Sequence, residues 1–202
     1  MEFKIVRPQE KIIHFKFKLK RDLTRTMLRF QEHFESPKFK DKIFSLEEFK
    51  IWYASTTDNN KFTYYSDWSG FNFPSYILKP FYDGSFDPLT ADEKSILDIL
   101  RSETGEFYVI GTFKNEDIKH EMAHAKFYVD PNYRKQVKKV ISKIDTKTMF
   151  KALKEMGYDK SVLIDEVHAY LLESEEYLKK EFSIEVDDYK EARRQLAEIY
   201  RK

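Results

Sequence analysis

Residues 120–124 read His120-Glu121-Met122-Ala123-His124, an H-E-x-x-H sequence in a stretch of helical character. Four residues turn a helix by about 400°, so His120 and His124 stand one above the other on a single face and can bind one metal ion. Glu121 sits one position round, near enough to reach a water on that metal without being a ligand. Two neutral imidazoles holding zinc, beside a carboxylate able to accept a proton, are what metal-assisted hydrolysis needs. With five His in 202 residues, such a spacing arises by chance roughly once in a hundred chains, so the spacing itself carries weight. Small Ala123 and Ala125 would let other elements approach the motif closely. The bland alternative is a solvated helix face that happens to carry two His and a Glu.

A catalytic zinc site takes three protein ligands and leaves one position open. The chain has no Cys, so the third ligand must be a His or a carboxylate. The best source is Ile164-Asp165-Glu166-Val167-His168-Ala169-Tyr170. On a helix, Glu166 shares a face with Val162, Ala169 and Glu173, beside an apolar seam of Leu163, Val167, Tyr170 and Leu171. A carboxylate next to such a seam, with Ala three residues on, suits a buried metal, which makes Glu166 the first choice. Asp165 and His168 compete for the same role, while Glu173, Glu175 and Glu176 read as ordinary surface glutamates. A developing oxyanion needs a donor, for which Tyr170, His168, Tyr128 and Tyr158 are candidates by proximity. Most of the 13 Tyr must be amphipathic packing residues, and His14 and His33 read as structural.

The motif, followed by a helix bearing Glu166 and Ala169, resembles the zincin metallopeptidases, and within them the gluzincins, whose third ligand is a Glu on a downstream helix. The likeness covers residues 106–180. It implies a zinc (Zn2+) peptidase with His120, His124 and Glu166 as ligands and Glu121 as general base. Two departures stand out. Tyr170 occupies the place where the extended gluzincin pattern has an acid, and Tyr128 and Pro131 stand where metzincins would place Gly and His.

Two rivals share the same residues. Glu121-x-x-His124 and Asp165-x-x-His168 are acid-x-x-His pairs of the kind used in di-iron carboxylate bundles, for which Glu93 or Asp98, and Glu155, could supply the remaining carboxylates. That arrangement leaves His120 without a role, and a mononuclear iron oxygenase leaves Glu121 without one. The non-enzyme alternative is a binding protein in which zinc only fastens one helix to another.

The elements that must position these residues point to an α+β chain. The expectation is one zincin-like domain over residues 1–202, with an N-terminal α+β part (1–105) and a motif strand followed by a helical part (106–202). Alternation in residues 12–19 predicts a strand whose wet face carries Lys16 and Lys18. A helix follows over residues 22–34, and Ser45 with Glu48, like Thr90 with Glu93, forms a capping box that opens another. Strands are predicted over residues 61–65 and 107–113, either of which could offer an edge to an extended peptide, and Gly111 marks a bulge or a close backbone approach. The aromatic-rich residues 64–86 are either a loop stapled into the core or the rim of a cleft. Helices are then expected from Asn115 to about Val129, from Asp130-Pro131 onward, over 146–156 with Gly157 as the stop, as one long helix over 161–182, and over 187–200.

The charge balance, 36 Lys and Arg against 35 Asp and Glu, removes the usual argument for a nucleic-acid or membrane-surface protein and leaves a peptide or protein as the expected substrate. No run of about 18 apolar residues occurs, and residues 1–9 lack an apolar core and cleavage site, so a cytoplasmic location is expected.

Overall fold

The structure is a computed structural model that describes residues 1–156 and 158–201. It is α+β, and it divides into two compact units, Met1–Ile118 and Lys119–Lys202.

The first unit is built on a four-stranded sheet of order β1-β2-β4-β3, made of β1 (Phe3–Gln9), β2 (Ile12–Phe17), β3 (Gly70–Pro74) and β4 (Tyr108–Phe113). β2 and β4 run parallel, and the outer pairs are antiparallel. Ile13, Phe15, Phe71, Phe73 and Val109 alternate onto one face and are all buried. Helix α1 (Lys20–Glu35) lies on that face, turning Leu23, Met27, Leu28 and Phe30 inward. Its approach explains Gly111: a Cβ there would stand 2.9 Å from Leu23 Cδ1 and 3.0 Å from two atoms of Met27. The glycine therefore serves close packing of helix on strand.

Helices α2 (Leu46–Ser55), α3 (Tyr64–Asp67), α4 (Lys79–Tyr82) and α5 (Ala91–Leu100) complete this unit. Both expected capping boxes form at the starts of α2 and α5. The second also serves the core. Glu93, its N3 acid, takes Arg29 Nε at 2.6 Å and Nη2 at 2.5 Å, while the same guanidinium donates to the carbonyls of Phe86 and Pro88. With both side chains buried, such a pair holds only because every polar atom finds a partner.

Three expectations are corrected here. Residues 61–63 form no strand, and Tyr64 begins α3; the strand lies instead inside the aromatic segment, where Phe71 and Phe73 alternate inward against β4. The segment packs into the core through Tyr64, Phe71, Phe73, Phe81 and Phe86, while Trp68, Tyr76 and Tyr82 stay exposed and Tyr76 and Tyr82 border a cavity with Leu100 and Phe107. β4 offers no edge to a peptide, because β2 and β3 pair with its two sides. The wet face expected of β2 is also incomplete: Ile12 and His14 are buried, Lys16 is half-buried and only Lys18 is fully exposed.

The second unit is helical: α6 (Ile118–Val129), α7 (Pro131–Ile141), α8 (Lys147–Glu155), α9 (Leu163–Leu171), α10 (Glu175–Phe182) and α11 (Lys190–Arg201). Its core gathers Tyr133, Val137, Met149, Leu153, Val167, Leu171, Leu178 and Leu196. Asp130 caps α7 as expected, accepting from the N–H groups of Asn132 and Tyr133. α6 opens at Ile118 and not at Asn115, because Lys114 and Asp117 both take a φ of 57° and turn the chain first. The expected stop at Gly157 lies outside the described residues. The long helix over 161–182 is two helices. Ser174 accepts from the Tyr177 N–H and starts α10 afresh, and Arg193 on α11 donates to the carbonyls of Leu171 and Glu173 that the end of α9 leaves open. Among the described residues no helix is long and apolar enough to cross a membrane.

His14 on β2 makes the first unit sensitive to acid. Thr112 Oγ1 donates to the Lys114 carbonyl and accepts from His14 Nε2 at 2.8 Å, which fixes a proton on Nε2. Burial, helped by Lys16, lowers its pKa to about 4. Between that value and the unfolded value of about 6.5 the unfolded chain binds more protons, so stability is full above about pH 6.5 and falls as the pH drops toward 4. Going from pH 7 to pH 5 should cost about 2 kcal/mol through this residue. Urea denaturation of wild type and His14→Gln at the two pH values checks it: the variant's loss should be smaller by that amount, and equal losses would refute the assignment.

Candidate metal centre

The site is assembled by two helices of the second unit. On α6 the four-residue spacing stacks His120 and His124 on one face, with ring centroids 4.8 Å apart. On α9 the apolar seam buries Leu163, Val167, Ala169 and Leu171 and carries Glu166 in with it. Ala123 on α6 and Ala169 on α9 have no exposed surface, consistent with the close approach that small residues permit.

The donor atoms converge. His124 Nε2 stands 3.1 Å from His120 Nε2 and 3.7 Å from Glu166 Oε1, and His120 Nε2 stands 3.9 Å from Glu166 Oε2. Four donors set tetrahedrally at ~2.0–2.1 Å from a metal are about 3.3 Å apart; the two imidazole nitrogens meet that spacing, and one donor atom from each of the three residues lies within 4.8 Å of the others. Glu166 Oε2 is buried without a hydrogen-bond partner among the described residues, an unpaired carboxylate oxygen facing two imidazoles. Two His and one carboxylate with an orphaned oxygen are donors suited to a metal ion. His120, His124 and Glu166 also form the one group among the described residues able to hold a metal.

Each imidazole turns Nε2 inward and presents Nδ1 to another carboxylate. His124 Nδ1 is 3.1 Å from Asp165 Oδ2, and His120 Nδ1 is 3.7 Å from Glu173 Oε1. Metal-bound histidines characteristically have such partners, which fix ring orientation and raise basicity. Asp165, a competitor for ligation in the sequence, is thus an orienting partner of His124. Glu173, read as a surface glutamate, stands near His120 Nδ1, beyond hydrogen-bond reach. The signal for Glu173 was its seven-residue spacing from Glu166, which returns it to the same face of the chain although α9 ends between them.

The electrostatics follow from packing acids and imidazoles together out of water. Burial pushes the Glu166 carboxyl up to about 7 against the pull of His124 and His120. Burial works to lower His124, but Asp165, Glu166 and Glu121 outweigh it and raise the ring well above its ordinary value. Asp165 moves the other way: burial raises it, and His124 and His168 more than reverse that. Glu121 is buried, and its charge acts on both His124 and Glu166.

The oxyanion-donor candidates separate. Tyr170 packs edge-on to the His120 ring with centroids 4.7 Å apart, and its hydroxyl lies 3.2 Å from that of Tyr158. Burial raises the Tyr170 pKa, with Glu166 adding to the shift, so the phenol keeps its proton. His168, a catalytic candidate in the sequence, lies in the interior. It has no exposed surface, its Nε2 lies 2.6 Å from the Tyr133 hydroxyl and its Nδ1 lies 3.4 Å from Asp165 Oδ1. The carboxylates a di-iron site would borrow are placed for other work: Glu93 is bound to Arg29, while Asp98 is exposed and Glu155 lies on the surface with Lys151.

The expected consequence is metal-linked stability. Purified protein should carry about one zinc per chain by elemental analysis, and zinc at a hundredfold excess over Kd should add ~2.7 kcal/mol to the unfolding free energy. His124→Ala and Glu166→Ala should abolish both effects; a stabilisation that survives either change would place the metal elsewhere.

A scan of the chain against protein-family models found no match, and searches of curated proteins and of solved structures found none either, so its chemistry is read from its own geometry.

Proposed function

We propose that the chain is a zinc-dependent peptidase of gluzincin type, acting on a peptide or protein substrate. The observation that carries this reading is the convergence of His120 Nε2, His124 Nε2 and the orphaned carboxylate of Glu166, with Glu121 beside them on α6. Zinc held by those three residues would supply a Lewis acid that lowers the pKa of a water and polarises a carbonyl.

The chain's own residues divide the remaining work. Glu121, next to His120 and buried, offers a carboxylate oxygen to take a proton from water and hold it until the leaving amine accepts it. Burial keeps that carboxylate out of bulk solvent, so the proton it holds stays in the site. Tyr170 retains its phenolic proton and lies against the ring of His120, so it is the residue best placed to donate to an oxyanion developing beside that ligand. Asp165 orients the His124 ring from behind, and Glu173 adds negative charge near His120 Nδ1.

Glu121→Gln separates this reading from a zinc that merely fastens helices together. The variant should keep about one zinc per chain while hydrolysis of a fluorogenic peptide mixture falls by ~10²–10⁴-fold. Tyr170→Phe should lower kcat by ~10²-fold or more with zinc retained. Undiminished hydrolysis in metal-replete Glu121→Gln would remove Glu121 as the base, and a wild-type chain that binds zinc but cleaves no peptide would reduce the centre to a structural one.

A further inference from the structure

We infer that His168 and Tyr133 are positioning residues that set the tautomer of His124 through Asp165, and so decide whether its Nε2 is free to take a metal. The inference rests on the zinc-site reading above and extends it to two residues that touch neither the metal donors nor a substrate.

The four groups form a chain across three helices. The Tyr133 hydroxyl on α7 lies 2.6 Å from His168 Nε2, His168 Nδ1 lies 3.4 Å from Asp165 Oδ1 on the same helix, and Asp165 Oδ2 lies 3.1 Å from His124 Nδ1 on α6. His168 and Tyr133 are buried, and Phe127 stacks on the His168 ring with centroids 5.7 Å apart, so the ring cannot turn to water for other partners.

Donor and acceptor roles in this chain follow from chemistry alone. An ionised Asp165 only accepts, so both imidazoles must meet it with Nδ1–H. His168 Nε2 is then a lone pair, and Tyr133 must donate to it. When His124 is neutral, as a metal ligand must be, the same contact leaves its Nε2 as the lone pair, directed at His120 Nε2 and Glu166. The 3.1 Å between the two Nε2 atoms shows why the choice matters. A His124 that carried its proton on Nε2 would donate it to His120 and occupy both ligand atoms in one hydrogen bond. A phenol that can donate, three groups away, favours the other arrangement. Without Tyr133 the His168 ring can place its proton on Nε2 and turn a bare Nδ1 toward Asp165, which repels the carboxylate and loosens its hold on His124.

Tyr133→Phe removes one hydroxyl and leaves the packing intact. His168→Phe removes both ring nitrogens, and His168→Asn restores a donor near the Nδ1 position. Zinc affinity is measured by competition with a fluorescent chelator, and ligand geometry by the visible spectrum of the cobalt-substituted protein, with denaturation of the metal-free proteins as the control for folding. Tyr133→Phe and His168→Phe should each weaken zinc by about tenfold or more and alter the cobalt bands, and His168→Asn should recover most of the loss. Wild-type affinity and spectrum in Tyr133→Phe and in a folded His168→Phe would overturn the inference while leaving the zinc site standing. If wild type itself takes up neither zinc nor cobalt, the reading of the centre fails and this inference fails with it.

Discussion

Everything in the helical unit is arranged around the burial of the Glu166 carboxylate beside two imidazoles. A lone ionised carboxylate taken out of water costs several kcal/mol, and the neighbours of Glu166 deepen the problem, since Glu121 and Asp165 also oppose its ionisation. In the metal-free chain the cluster answers with protons: Glu166 rises to about 7 and His124 is held toward its protonated form by the surrounding acids. A divalent cation would answer the same demand without protonating the residues that must act as ligands. The shifts are therefore two views of one constraint, a site with excess buried negative charge and donors converging within 4.8 Å.

That constraint reaches into the helices. Glu166 is buried only because α9 is apolar along Leu163, Val167 and Leu171, and α9 can stop after one ligand face because its last carbonyls find Arg193. The break at residues 172–174 does more than end a helix. It brings Glu173 to His120 Nδ1 from outside the regular turn, while Ser174 restarts the chain as α10. Arg193 thus ties the C-terminal helix to the end of the ligand helix by two backbone carbonyls and, through Nη1, to Glu175.

How much of this was legible in the sequence depends on the range of the interaction. The His120/His124 pair, the choice of Glu166, the capping boxes and the cap at Asp130 all rest on spacings within a few residues, where helical geometry alone decides. The close approach at Gly111 was legible because only one residue type lacks a Cβ. What was missed rests on distant partners. Nothing local says that residues 61–63 are not a strand and that Gly70–Pro74 is, because the choice is made by pairing with β4. The helix over 161–182 looked continuous because its end is stabilised by Arg193, far along the chain. Asp165, His168 and Glu173 were visible as residue types, but which acid faces an imidazole Nε2 and which faces Nδ1 is set by helix packing that spacing does not encode.

The two histidines of the cluster are not equivalent. His124 is buried, its Nδ1 lies at 3.1 Å from Asp165, and the chain behind Asp165 runs into the core through His168 and Tyr133. The side chain of His120 keeps 15% of its surface exposed, and its Nδ1 partner Glu173 is looser at 3.7 Å and itself 27% exposed. Tyr170 packs against the His120 ring and not the His124 ring, with Tyr177 stacked beyond it at 5.9 Å and half open to solvent. The cluster is thus tied into the core on the His124 side and open to solvent on the His120 side, past Glu173 and Tyr177.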